Sequence, residues 1–179
     1  MLSLLIQQSY LLTAEYFIHM KLLKIFFFIF PIFVLCQTKA KVVGVKDGDT
    51  IEVLLEGNIT KILRLAEVDC PENSQAFGKN AKQYTSSQVF GKQIIFYPIA
   101  KDCWGRSIAK IYYNNGKSYL SEEIIKAGYG WWYYHYSNNK KLGEYQKKAQ
   151  KSNLGLWKDK KAISPWEFRK LKNNKNKKI

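Results

Sequence analysis

Short alternating segments separated by turn residues dominate the chain from residue 41 onward. Lys41–Lys46 reads as a strand, Asp47-Gly48-Asp49 as a turn and Thr50–Leu55 as a second strand. Glu56-Gly57-Asn58 signals another turn. Ile59–Val68 returns as a strand with Ile62, Leu63 and Leu65 apolar, and Pro71 stops it. Asn73 or Ser74 can cap a helix from about Gln75 to Val89, with Gly91 beyond its C-terminus. Gln93–Pro98 and Arg106–Tyr113 are the next strands, the latter closed by Asn-Asn-Gly at 114–116. A short helix is expected over Leu120–Ala127, an extended piece over Tyr129–Tyr133 and a helix of mixed charge over Lys140–Lys151. Ser164-Pro165 is a cap followed by a proline at the first helical position, opening a short helix to about Leu171. Five strands and about three packed helices predict an α+β fold. A small barrel hides the edges of five short strands most economically.

The first forty residues do not fit that pattern. Lys21 and Lys24 precede an uncharged apolar run from Ile25 to Leu35, the layout of a signal peptide. The run is shorter than the roughly 20 residues a spanning helix needs. It has no polar face at any helical spacing, which argues against a buried core helix. Cleavage after Cys36 and cleavage after Ala40 both remain open. Cys36 raises a lipidated form, although Leu35 is larger than such a site prefers. Residues 1–19 carry Glu15 and a second apolar patch, so Met20 is an alternative start. An uncleaved anchor over 1–40 is the other reading. Each makes the remainder exported: secreted, periplasmic or anchored at the cell surface. The organisation expected is therefore a leader or anchor over 1–40, a folded domain over 41–169 and a basic disordered tail over 170–179.

Composition sharpens this picture. Apolar residues at 46% and aromatics at 15% exclude a disordered chain. Four Pro and 11 Gly exclude collagen-like or linker-dominated composition. Three Cys without paired C-x-x-C motifs exclude a disulfide scaffold or a zinc ribbon. The formal charge is +15, and residues 41–179 alone hold 26 basic and 13 acidic side chains. The polycation belongs to the folded part, which suits a polyanionic partner.

Several charged residues stand among strand and turn residues. Asp47 and Asp49 flank one glycine, Asp69 and Glu72 flank Cys70-Pro71, and Arg64 and Arg106 lie in apolar strands. Turn carboxylates are material for a hard-cation site, Ca²⁺ or Mg²⁺. Arginines projecting from strands match phosphate oxygens with a rigid fork. Alone, each has an ordinary reading as a turn, an ion pair or a loop. Together, in one small basic domain, they supply what phosphodiester hydrolysis needs.

Four motifs then line up in order. They are V-x-D-G-D-T at Val45–Thr50, R-L-x-x-V-D-C-P-E at Arg64–Glu72, Q-A-F-G-K-N-A at Gln75–Ala81 and D-C-W-G-R at Asp102–Arg106. With G-L-W at Gly155–Trp157 and P-W-E-F-R at Pro165–Arg169, the chain resembles the staphylococcal (micrococcal) thermonuclease family. The resemblance implies an OB-fold barrel and a monomeric Ca²⁺-dependent endonuclease of DNA and RNA that leaves 3′-phosphates. By the same resemblance Asp49, Asp69 and the backbone carbonyl of Cys70 are the calcium ligands, and Asp47 is an outer-shell carboxylate. Glu72 is the general base or water-orienting residue, and Arg64 and Arg106 bind the scissile phosphate. Tyr134, Tyr136 and Trp104 fall at substrate-binding positions. Cys70, Cys103 and Trp104 stand where the type enzyme has threonine, lysine and tyrosine, and the loop after the glutamate is shorter here. Cys70 and Cys103 are either two separate thiols or, after export, a bridge between two active-site motifs. The rival readings are a non-catalytic exported nucleic-acid-binding module on the same barrel and a surface-adhesion protein whose charge serves lipid or glycan contact.

Overall fold

The computed structural model describes residues 37–176. Residues 1–36 of the expected leader or anchor, with the start at Met20 and the Cys36 lipidation site, lie outside these residues, whereas 38–40, expected in that segment, belong to the first strand. Strand β1 (Thr38–Asp47) pairs antiparallel with β2 (Thr50–Leu54), which pairs with β3 (Thr60–Leu65). Strand β5 (Gln93–Lys101) pairs with the other edge of β1, and β6 (Ser107–Tyr113) pairs with β5. A parallel ladder joins β6 to β3, with Leu63 opposite Ser107 and Arg64 opposite Ile108. That ladder closes five strands into the OB-fold-like barrel and removes the free edges. β4 (Val68–Asp69) and β8 (Trp131–Trp132) form a separate two-stranded ladder, and β7 (Ser118–Tyr119) adds to β6.

Alternation along the strands fills the interior. Val42, Ile51, Val53, Leu63, Leu65, Ile94, Phe96 and Ile111 are all fully buried, or within one percent of it. Pro98, which cannot donate to a ladder, sits at the irregularity between Pro98 and Ala100 in the β5–β6 pairing.

Four α-helices stand among the described residues, one in each stretch read as helical: α1 (Gly78–Val89), α2 (Leu120–Lys126), α3 (Lys140–Lys151) and α4 (Pro165–Asn176). Several boundaries differ from the sequence reading: β1 starts at Thr38 rather than Lys41, β5 runs on to Lys101, and β6 starts at Ser107, leaving Arg106 in the loop. The predicted strand Ile59–Val68 breaks after Leu65, because Glu67 takes a left-handed φ of 67° and starts a new ladder at Val68. Helix α1 begins at Gly78 rather than Gln75, because Phe77 is left-handed at φ 63° and residues 72–78 fold as turns. The final helix runs to Asn176, so residues 170–176 are helical where a disordered tail was expected.

Candidate active site

The hairpin joining β1 and β2 makes the first half of the site. Asp47 and Thr50 are paired, so only Gly48 and Asp49 form the loop. Gly48 is required by space: a Cβ there would stand 2.7 Å from Cβ of Cys70 and 2.8 Å from Cβ of Ala81. The Gly48 carbonyl accepts from Thr85 Oγ1 at 2.6 Å, which fixes the hairpin to α1. The Asp49 N–H donates to Asp47 Oδ1 at 3.1 Å, which sets the turn.

The second half comes from β3 and β4. Arg64 Nη1 donates to Asp49 Oδ1 at 2.6 Å, and Arg64 Nη2 donates to Asp69 Oδ1 at 2.7 Å. The Cys70 N–H donates to Asp49 Oδ2 at 3.0 Å, tying the hairpin to the segment after β4. Asp49 and Asp69 are both buried, Asp69 completely. Burial pushes the Asp47 carboxyl up to about 7, with the charge of Asp49 adding to the effect. Burial likewise raises the Asp69 carboxyl, against the hydrogen bond it accepts from Arg169. Burial presses against the charge of Arg64, but Asp49 and Asp69 outweigh it and hold that guanidinium above its ordinary pKa.

Glu72 follows two residues after Cys70 and keeps its side chain 39% exposed. Its carboxylate Oε1 accepts from Arg169 Nη1 at 2.8 Å, and Arg169 Nη2 donates to Asp69 Oδ2 at 2.7 Å. The sequence reading gave Arg169 no role, although it lies in the P-W-E-F-R motif. A surface cavity of about 260 Å³ opens beside this pair, lined by Glu72, Ser74, Phe168, Arg169, Lys172 and Asn173.

The structure thus gathers Asp47, Asp49, Arg64, Asp69, Cys70 and Glu72. Arg106 is bonded elsewhere: its Nε donates to Asp102 Oδ2 at 2.6 Å and Trp104 lies over its guanidinium at 5.2 Å. The parallel ladder nevertheless sets Arg106 one residue before Ser107, the partner of Leu63. Arg106, expected inside a strand, therefore lies at the end of the β5–β6 loop, just before the strand that runs beside Arg64. Trp104, Tyr134 and Tyr136 are exposed aromatics. Tyr134 and Tyr136 form a short 3₁₀ turn, and the Tyr134 ring lies 6.0 Å from Trp166 at the start of α4. Cys70 is buried and Cys103 exposed, and both are free thiols, so the bridge considered between them is not formed. The reason is placement: Cys70 Sγ packs under Gly48 and Gly130, while Cys103 lies on the exposed β5–β6 loop.

The donor chemistry suits a hard cation. Asp47, Asp49, Asp69 and the Cys70 carbonyl offer oxygen only. Burial, and then the neighbouring aspartates, raise the Cys70 thiol well above its ordinary pKa, so it stays protonated and is no thiolate ligand. No group of three His, Cys, Asp or Glu side chains able to hold a metal is gathered among the described residues. Two carboxylates and a carbonyl would leave the remaining positions of a Ca²⁺ ion to water or substrate.

Comparison with known proteins shows the family. The family model "Staphylococcal nuclease homologue" matches residues 62–159, more than half of the chain. An uncharacterized endonuclease of Haemophilus influenzae (strain ATCC 51907 / DSM 11121 / KW20 / Rd) is 37% identical over 134 residues, covering 75% of this chain and 74% of that protein. A micrococcal nuclease of Shigella flexneri is 32% identical over 145 residues, covering 76% and 83%. An uncharacterized endonuclease of Escherichia coli O157:H7 is 33% identical over 153 residues, covering 85% and 99%. The closed barrel, the carboxylate–arginine cluster at its β1–β2 hairpin and these relatives lead to one assignment: the chain belongs to the staphylococcal nuclease family, a nuclease hydrolase acting on phosphodiester bonds.

Proposed function

We propose that the protein is an exported, Ca²⁺-dependent endonuclease that cuts DNA and RNA and leaves 3′-phosphates. The observation that carries the reading is Arg64 forked across Asp49 and Asp69, with Glu72 beside them at a surface opening. Asp49, Asp69 and the Cys70 carbonyl would hold the calcium ion, with Asp47 behind them. When bound, the ion would polarise the scissile phosphate. Glu72 is exposed enough to meet water, orient it and take its proton. Arg64, on strand β3, and Arg106, once released from Asp102, would take up the negative charge that develops on the phosphate. Trp104, Tyr134 and Tyr136 would offer exposed rings for stacking with bases.

Export rests on the basic and apolar layout of residues 21–35. Of the two cut points, the one after Cys36 is favoured. Cleavage after Ala40 would take off Thr38, Lys39 and Ala40, which pair with β5, and Ala40 is buried. The deciding experiment is digestion of DNA and RNA by wild type and Glu72→Gln, with Ca²⁺ and with chelator. Ca²⁺-dependent cleavage by wild type alone supports the enzyme. Tight binding without cleavage by either protein would make the chain a binding module.

A further inference from the structure

Glu72 sits in a loop, half in solvent, on a side chain with several rotatable bonds. Such a carboxylate works only when held in place, because a misplaced reacting group forfeits much of the gain from proximity. Its loop is held at the backbone by Gln75, whose Oε1 accepts from the Glu72 N–H at 3.3 Å and whose Nε2 donates to the Ile163 carbonyl at 2.8 Å. Among the described residues the side-chain partner of the Glu72 carboxylate is Arg169. Arg169 Nη1 donates to Glu72 and, at 3.4 Å, to Asp69 Oδ1, while Nη2 donates to Asp69 Oδ2, so the guanidinium spans the two carboxylates and sets the distance between them.

Helix α4 is built to hold that guanidinium still. Ser164 and Glu167 close a reciprocal capping box, with the Ser164 N–H donating to Glu167 Oε2 at 3.1 Å and the Glu167 N–H donating to Ser164 Oγ at 3.4 Å, and the Ser164 hydroxyl adds a bond to Glu167 Oε2 at 2.7 Å. One residue on from Pro165, Trp166 stacks on Tyr133 with centroids 5.5 Å apart and planes 4° from parallel. Trp131 meets the same indole edge-on, with centroids 5.8 Å apart. Arg169 follows one turn later. It lies ten residues past the stretch that the family model matches.

We infer that Arg169 is a positioning residue of the hydrolytic site: its guanidinium fixes the Glu72 carboxylate beside Asp69, so that catalysis depends on docking of the C-terminal helix. This rests on the nuclease reading with Glu72 as the residue that activates water. A phosphate-binding arginine would act on substrate affinity. A positioning arginine acts on turnover, and only while Glu72 is a carboxylate.

The test is a double-mutant cycle on the full chain with DNA and saturating Ca²⁺. Arg169→Ala and Arg169→Lys are each made in wild type and in Glu72→Gln. Thermal midpoint and the near-ultraviolet dichroism of the tryptophans report the folded state. Arg169→Ala should lower kcat by about ten- to a hundredfold and leave KM nearly unchanged. Arg169→Lys should recover part of the loss, since an ammonium reaches one carboxylate but not both. In the Glu72→Gln background, Arg169→Ala should cost less than about twofold, because nothing is left to position. Should Arg169→Ala fail to fold, the Lys variant carries the same cycle. Equal losses in both backgrounds would make the residue merely structural and overturn the inference. So would a rise in KM at constant kcat, or unchanged turnover. A wild type that cuts beside an unaffected variant overturns this inference alone, whereas a folded wild type that never cuts overturns the nuclease reading and takes the inference with it.

Discussion

Arg64 and Arg106 carry the same charge in different surroundings, and the surroundings set what each substitution costs. The Arg64 side chain is 16% exposed and serves two buried carboxylates. Removing one partner of a buried ion pair typically costs about 3–5 kcal/mol, because the other charge is left uncompensated. Arg169 still serves Asp69, so the loss should fall toward the lower end. Arg106 pairs with Asp102 near the surface, where a pair is worth about 0–1 kcal/mol. Both Arg64→Ala and Arg106→Ala should lower kcat by roughly 10²–10³. Only Arg64→Ala should also lower the thermal midpoint strongly in chelator, so side-by-side kinetics and melting curves separate the two. Equal melting losses would contradict the burial difference. At this scale Asp49, Arg64, Asp69 and Glu72 were legible because turn carboxylates and a strand arginine crowd into 24 residues. Arg169 was not, since its contacts span 97 and 100 positions and no local spacing marks them.

Elements explain how those residues are aimed. Helix α1 starts at Gly78 because the Glu72 loop folds back onto its first turn. A Cβ on Gly78 would stand 1.9 Å from the Glu72 carbonyl oxygen, so the backbone carrying Glu72 would have to move. Gly78→Ala should therefore lower turnover by about tenfold or more, read by DNA digestion with a folded variant confirmed by dichroism. Wild-type turnover would mean that the loop tolerates the shift. The start of α4 was legible as Ser164 before Pro165. Its end was not, because the lysines and asparagines after Leu171 carry no apolar periodicity. The Glu167 carboxyl is held below its ordinary value of 4.5 by the Ser164 hydroxyl and then by the Ser164 N–H. A lowered folded pKa means that the box stabilises fully above pH 4.5 and is lost as pH falls through the lower folded value. Wild type should thus exceed Glu167→Gln by about 0.5–1 kcal/mol at pH 6, and the gap should close on acidification below 4.5. Paired thermal melts across pH 6 to 3 check this, and a gap independent of pH would remove the capping box as its cause.

The whole molecule combines a closed barrel with a large positive charge. Each strand could be read locally, but closure could not: β3 and β6 meet in parallel across intervening strands and α1, with no hairpin turn to announce the pairing. That closure brings the loop end that carries Arg106 beside the strand that carries Arg64. The charge acts at longer range. Residues 41–179 hold twice as many basic as acidic side chains, and Lys140, Lys141, Lys147, Lys148 and Lys151 are exposed along α3. Contact with phosphates releases counterions, so a face touching about six of them loses roughly 10³ in affinity between 50 and 200 mM salt. Cleavage should depend on something narrower. With chelator present, wild type should still bind DNA with that steep salt dependence and should not cut it. Ca²⁺ should restore cutting. Zn²⁺ should support it poorly, since the site offers oxygen donors and a Cys70 thiol kept protonated by burial and the nearby aspartates. Binding followed by fluorescence anisotropy and cutting followed on gels, over the same salt series, separate the two behaviours. Cutting that persists in chelator would remove the carboxylates from a metal-holding role. Binding that ignores salt would detach the lysine-rich surface from the polyanion.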